Sequence, residues 1–227
     1  MAIALWLPGA IRFWTSDFHT QWGERRDFTL EDGSRISLNT HSALSVEFSP
    51  KQRLVQLLEG EAFFQVTHDP ARPFVVATSH SRVQVTGTAF DVYTHDERMT
   101  VTVLEGRVRV YPDRAEDKGI ELTAGLQASG DTQGLGPVLR VDTQQAVAWR
   151  EGLLVFELQP LAAVIDELNR YYPGKLMIAD PRIRDRTISG AFHLTRPWDI
   201  LAAIEKTLGL SSLNLSGALT LIYQPSL

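Results

Sequence analysis

Val55-Gln56-Leu57-Leu58-Glu59-Gly60-Glu61-Ala62-Phe63-Phe64-Gln65-Val66 is the stretch on which the reading of this chain turns. Before the Glu-Gly pair the apolar residues Val55 and Leu57 alternate with period two. After it Ala62, Phe64 and Val66 alternate as well, but one residue out of phase. Period two is the mark of a half-buried strand, and a one-residue slip would turn the second half over unless the backbone compensates. The pattern returns at a constant step of 46 residues as Val101-x-Val103-x-Glu105-Gly106-x-Val108-x-Val110, then as Val147-x-Trp149-x-Glu151-Gly152-x-Leu154-x-Phe156-x-Leu158. Glycine reaches backbone angles closed to other residues, so a bulge or tight bend is expected at Gly60, Gly106 and Gly152. The chain reads as repeated bent strands.

Strand signals continue outward from this unit. Phe28-x-Leu30 and Ile36-x-Leu38 flank Asp32-Gly33, a pair suited to a tight hairpin turn, and Leu44-x-Val46-x-Phe48 ends at Ser49-Pro50. His68 to Pro73 forms a loop, followed by Phe74 to Ala77, Val83-x-Val85 and Phe90-x-Val92, and nothing from Phe28 to Val110 has helical spacing. Asp113 to Gly119 and Ser129 to Pro137 read as exposed turns, with Leu122 to Ala128 between them as one edge strand. Short strands at this density predict an all-β, repeat-like sandwich or solenoid over residues 20–142.

A second character begins at residue 147. Pro160 opens a helix with Leu161, Val164, Ile165 and Leu168 on one face, closed by Pro173-Gly174; Pro197 opens another with Ile200, Leu201, Ile204 and Leu208, and Gly209 lies past its end. Leu176 to Ile178 and Thr187 to Leu194 are strands, and Leu213-x-Leu215 with Leu219-x-Leu221-x-Tyr223 forms a hairpin about Ser216-Gly217. Strand-helix-strand thus occurs twice, predicting a small duplicated β-α-β domain over 147–227 in a chain that is otherwise mainly β.

Composition excludes several functions. The 227 residues are 44% hydrophobic and 22% charged with a net charge of -5, and neither this acidity nor the absence of a basic stripe suits a nucleic-acid binder. The absence of cysteine removes disulfides and thiolate chemistry. The six histidines show no ligand spacing, so no metal or cofactor is expected, and they read as solvated loop residues. Glu59 and Glu61 are the best carboxylate pair, but Glu105 and Glu151 lack the second carboxylate, which assigns the pair to the bend rather than to catalysis. Trp149 and Trp198 are expected in the core. Residues 1–19 form an N-terminal segment in which Ala2 to Ile11 is apolar apart from Pro8 and Gly9. It is shorter than the about 20 residues of a membrane span and reads either as the remnant of one or as a strand.

Asp32-Gly33-Ser34-Arg35-Ile36-Ser37-Leu38-Asn39, Leu58 to Val66, Arg72-Pro73-Phe74-Val75-Val76, Gly87-Thr88-Ala89-Phe90-Asp91-Val92 and Val103 to Val108 resemble successive motifs of FecR-type regulators. Phe156 to Leu161 and Asp166 to Tyr171 resemble that family's C-terminal secretin/TonB short N-terminal (STN-like) module. The resemblance implies the periplasmic part of an inner-membrane protein that couples a TonB-dependent siderophore receptor to an extracytoplasmic-function sigma factor. It implies two partners: the receptor's periplasmic signalling domain, and a sigma factor reached only through a cytoplasmic domain that these residues do not supply. It implies no enzyme activity.

Two surfaces are candidates for the receptor contact. One is the polar face of the helix after Pro160, with Asp166, Glu167, Asn169, Arg170 and Tyr171. The other is the terminal hairpin, with Leu213, Leu215, Leu219, Leu221 and Tyr223, because a sheet edge accepts a strand from a partner. The competing reading is an envelope carbohydrate- or ligand-binding protein whose Glu59, Glu105 and Glu151 line one groove.

Overall fold

At Gly60 the backbone turns to φ 85° and at Gly106 to φ 80°, in the left-handed region. The phase slip itself lies just before each glycine. Ala43 pairs with Glu59 while Leu44 pairs with Leu57, leaving Leu58 as an extra residue, and Ala89 pairs with Glu105 while Phe90 pairs with Val103, leaving Leu104. Each Glu-Gly is therefore preceded by a one-residue bulge, which twists the strand before the glycine redirects it. The third copy differs: Ala148–Glu151 is a 3-10 turn and Gly152, at φ 80°, caps it. Trp149 there is buried by helical turning, not by strand alternation, so the bent-strand reading does not extend to this copy.

The structure is a computed structural model that describes residues 16–112, 119–195, 197–215 and 218–225. The apolar N-terminal stretch, nearly all of the Asp113–Gly119 turn and the Ser216-Gly217 turn lie outside these. The chain divides into two units, Met1–Ala146 and Val147–Leu227.

In the first unit the described residues form fourteen strands: β1 (Phe18–His19), β2 (Arg26–Thr29), β3 (Arg35–Leu38), β4 (Ala43–Phe48), β5 (Arg53–Gln65), β6 (Phe74–Ala77), β7 (Ser81–Val85), β8 (Ala89–His95), β9 (Arg98–Glu105), β10 (Arg107–Pro112), β11 (Ile120–Thr123), β12 (Leu126–Asp131), β13 (Gly134–Leu135) and β14 (Leu139–Arg140). A short helix, α1 (Thr143–Ala146), follows. They make one sheet with the path β11-β10-β7-β6-β5-β8-β9-β12-β13. The segment expected to be one edge strand is thus two strands, β11 and β12, which sit seven strand steps apart yet are joined by Ala124-Gly125 alone. Seven steps of a flat sheet span about 34 Å. Two linking residues reach at most about 11 Å. The sheet must curl until its far strands meet, and the Gly125 N–H donates to the Val103 carbonyl at 2.9 Å where they do.

The curl is organised by β5. Its first half pairs with β4 and β6, and from Gly60 onward it pairs with β3 and β8. Gly106 does the same between β9, beside β8 and β12, and β10, beside β7 and β11. Residues from both halves, among them Val55, Leu57, Phe64, Phe74, Val83, Phe90, Val101 and Val110, form one buried cluster. The solenoid alternative does not hold, because the copies are interleaved in a single curled sheet rather than stacked in sequence order.

Asp32-Gly33 does close the β2–β3 hairpin, as part of a five-residue connection in which the Leu30 N–H donates to the Ser34 carbonyl at 2.8 Å. Asp32 has a further role that its sequence context conceals. Its carboxylate pairs with Arg53 at 2.6 Å, and the Arg53 side chain is wholly buried. Arg53 Nε donates to the Arg72 carbonyl at 2.9 Å and Nη1 to the Thr67 carbonyl at 3.0 Å, tying the loop after β5 to the β2–β3 turn. Burial alone would raise the Asp32 carboxyl, but hydrogen bonds from Ser34 and the Arg53 guanidinium hold it below its ordinary value.

The second unit runs β15 (Leu153–Pro160), α2 (Leu161–Leu168), β16 (Lys175–Ile178), a 3-10 turn at Pro181–Ile183, β17 (Thr187–His193), α3 (Pro197–Leu208), β18 (Ser211–Leu215) and β19 (Leu219–Tyr223). Strand-helix-strand occurs twice in order, but the halves are not self-contained copies. β15 pairs with β17 across the halves, and β16 pairs in parallel with β19, so each sheet draws strands from both. α2 packs on β15, β16 and β17, burying Leu161, Val164, Ile165 and Leu168, while α3 packs on β17. Among the described residues no helix is long and apolar enough to cross a membrane.

Candidate partner-binding surface

The three-stranded sheet β16-β19-β18 has two unlike faces. Leu176, Thr220 and Ile222 point inward and are buried. Strand alternation sends their neighbours outward, and the register arranges them in rows across the sheet: Lys175-Leu219-Leu215, then Met177-Leu221-Leu213, then Tyr223 beside Ser211. Leu213 is 51%, Met177 48%, Leu215 41% and Tyr223 37% exposed. Six of the nine large hydrophobic residues exposed among the described residues lie in this second unit, although it is the smaller one. Apolar side chains grouped on one sheet face, rather than scattered singly, make this face the candidate interaction surface.

The hairpin residues divide by position. Leu219, Leu221 and Tyr223 lie on β19, the central strand; Leu213 and Leu215 lie on β18, the edge. Ser211 to Leu215 carries no charge, proline or bulge, the usual devices by which an edge avoids pairing. Met177, which completes the middle row, was missed because Leu176-Met177-Ile178 is apolar throughout and its outward member has no distinguishing period.

The polar helix face does not survive as a surface. Tyr171 is 4% exposed and belongs to the core. Asn169 holds β16: its Nδ2 donates to the Leu176 carbonyl at 3.0 Å, and its Oδ1 accepts from the Leu176 N–H at 2.7 Å. Arg170 pairs with Glu167 at 2.8 Å and lies over the Tyr171 ring. Of the five, Asp166 alone is exposed rather than half-buried or buried. Past Leu168 the chain tightens: the Asn169 N–H still donates to the Ile165 carbonyl at 2.9 Å, but the Arg170 and Tyr171 N–H groups donate to the Glu167 and Leu168 carbonyls, three residues back.

Two other residues carry apolar surface. Leu158 sits at a break in the β15–β17 register with φ 46° and 71% exposure, its N–H donating to Ser189 Oγ at 2.9 Å. Trp198, expected in the core, is 53% exposed with its ring in edge contact with Tyr172.

Within the β-unit the Glu59 and Glu105 bends do not line one groove. Gly60 is opposite Thr94 near one end of β8, whereas Glu105 is opposite Ala89 at its other end. Glu151 belongs to the other unit. Glu61 is buried, with Asn39 Nδ2 donating to its carboxylate at 2.5 Å. Among the described residues no group of three or more His, Asp or Glu side chains is placed to hold a metal ion.

The described residues thus form a curled β-unit and, after it in the chain, a small α/β unit with one open, leucine-rich sheet face. A family model for the FecR protein matches residues 16–109. Two crystal structures of a candidate anti-sigma factor from Parabacteroides distasonis are similar over nearly the whole chain. Each is 32% identical and covers 92% of this chain, with 99% and 98% of the other chains covered and TM-scores of 0.76 and 0.75. No curated protein matches significantly. The chain belongs to the FecR family, whose members are signalling regulators rather than enzymes.

Proposed function

We propose that this chain is the periplasmic signal-receiving part of an anti-sigma regulator that couples a TonB-dependent siderophore receptor to an extracytoplasmic-function sigma factor, anchored at the inner membrane. The observation that carries this reading is the open face and uncharged edge of β16-β19-β18, in a member of the FecR family. The C-terminal unit, as an STN-like module, receives the receptor's periplasmic signalling domain. The incoming partner adds a strand to β18 and covers Leu213, Leu215, Leu221 and Met177. The β-unit then relays occupancy toward the membrane or presents a site to regulated proteases. Sigma-factor contact belongs to the cytoplasmic domain that members of the family carry, and no residue here is assigned to it.

Calorimetric titration of the full chain with the N-terminal periplasmic domain of the TonB-dependent receptor encoded nearest to its gene tests this. Saturable binding of micromolar strength, about -8 kcal/mol, is expected. Absence of heat together with absence of co-elution at high concentration overturns the receptor assignment.

A further inference from the structure

The open edge of β18 has a definite hydrogen-bonding phase, and the strand on the far side of β19 reveals it. The Lys175 N–H donates to the Ala218 carbonyl and the Ala179 N–H to the Ile222 carbonyl, both at 2.8 Å. In a strand the N–H and C=O of one residue point to the same side, and those of the next residue to the other. Ala218, Thr220 and Ile222 therefore turn their backbone groups to β16, while Leu219, Leu221 and Tyr223 turn theirs to β18. The partners of these three in the register are Leu215, Leu213 and Ser211. Facing away from β19 are then the N–H and C=O of Ser212 and of Asn214.

The side chains alternate as well. Leu213 and Leu215 lie on the outer apolar face, whereas Ser212 and Asn214 lie on the other, where Asn214 Nδ2 donates to Thr220 Oγ1 at 3.1 Å. Leu213, Asn214 and Leu215 are all exposed.

This edge, Ser211-Ser212-Leu213-Asn214-Leu215, complements itself when it is reversed about Leu213. A twofold axis there sets Ser212 against Asn214 of a second copy, and Asn214 against Ser212. Each of these pairs exchanges two backbone hydrogen bonds, so every outward N–H and C=O of both strands is used. Leu213 falls opposite its own twin as a non-hydrogen-bonded pair. The middle row becomes Met177-Leu221-Leu213-Leu213-Leu221-Met177, apolar across both copies. Neither β18 nor β19 carries a charge, so no like charges are brought together. Moving the axis to Ser212 would set Asn214 against Leu210, whose N–H is already donated to the Glu205 carbonyl at 2.9 Å.

We propose that β18 pairs antiparallel with β18 of a second copy of this chain about a twofold axis at Leu213, joining two three-stranded sheets into one of six strands. The contact between two five-residue strands is small, so the dimer is weak and forms only at high concentration. The receptor's domain has been given the same edge, so the two occupants exclude each other; that consequence alone rests on the receptor assignment.

The test uses the full chain by itself, so its outcome is independent of the receptor. The chain lacks cysteine, and a single introduced thiol therefore reports only contact between copies. Non-hydrogen-bonded antiparallel neighbours have Cα atoms about 4.5 Å apart, within reach of a disulfide. Leu215 and its twin would lie four residues apart, about 14 Å, and out of reach. In a glutathione redox buffer Leu213→Cys is expected to cross-link at least tenfold more than Leu215→Cys. Sedimentation of the natural protein shows monomer and dimer in equilibrium. Asn214→Pro removes an N–H that faces only the open edge, so the variant melts like the natural protein yet loses the dimer. The two thiol variants decide whether or not the proline variant folds. A natural protein that stays monomeric at millimolar concentration, equal cross-linking by the two thiols, or an unchanged dimer in folded Asn214→Pro overturns the proposal.

Discussion

The two units solve the sheet-edge problem in opposite ways. In the β-unit the path is curled until β11 and β12, its distant strands, are joined by Ala124-Gly125, and large apolar side chains are exposed only at Trp22, Val138 and Leu139 among its described residues. In the C-terminal unit the three-stranded sheet ends in the uncharged strand β18 and turns Leu213, Leu215, Met177 and Tyr223 outward. A sheet that closes on its own core spends its apolar residues on stability. One that stays open keeps them for a partner.

That contrast breaks most readily at Arg53. Arg53→Met leaves the buried Asp32 carboxylate without its cation, and a loss of about 3–5 kcal/mol is expected in denaturant unfolding of the β-unit. A loss below about 1 kcal/mol would mean that the pair is not buried in solution. The same pair has a pH signature. Asp32 is held below its ordinary 3.8, so its contribution is complete above that value and disappears as pH falls through the lower folded value. Asp32→Asn should remove this part of the acid dependence.

Next in size are the glycines. Gly60→Ala meets Ser42 as well as the backbone strain at φ 85°, so about 2–4 kcal/mol is expected. Gly209→Ala, at φ 61° with nothing within 4 Å, should lose about 1 kcal/mol from strain alone. Equal losses in thermal melting would remove the argument that the bend is packed against the loop.

On the open face, Leu213→Asp should weaken receptor-domain binding at least tenfold, about 1.4 kcal/mol, while Val138→Asp in the β-unit leaves it unchanged. Unfolding free energy should move by less than about 0.5 kcal/mol in either variant. Equal effects on binding would dissolve the distinction between the units. The smallest effect is expected at Asn169→Ala, which loses two hydrogen bonds to Leu176. About 1 kcal/mol of stability should go with them, without change in affinity. A selective loss of affinity there would restore the polar helix face as a contact.

Much of this was legible in the residues themselves. Period-two alternation, the slip at Glu59-Gly60 and Glu105-Gly106, and the helical spacing after Pro160 are local, and local backbone geometry answers to them directly. The hairpin leucines were legible for the same reason: a strand's side chains alternate whatever it packs against. Three things were decided only by tertiary structure. Arg53 looks like any surface arginine until the turn at Asp32 and the loop at Thr67 to Arg72 close around it, contacts made between residues far apart in sequence. Val147-x-Trp149 matches the strand pattern, yet folds as a 3-10 turn, because a short apolar spacing fits either conformation and no partner strand is present to choose for it. Whether an apolar strand face is core or contact surface depends on which layer covers it. Leu176 and Met177 are neighbours of similar hydrophobicity, and only the position of the helices buries one and exposes the other.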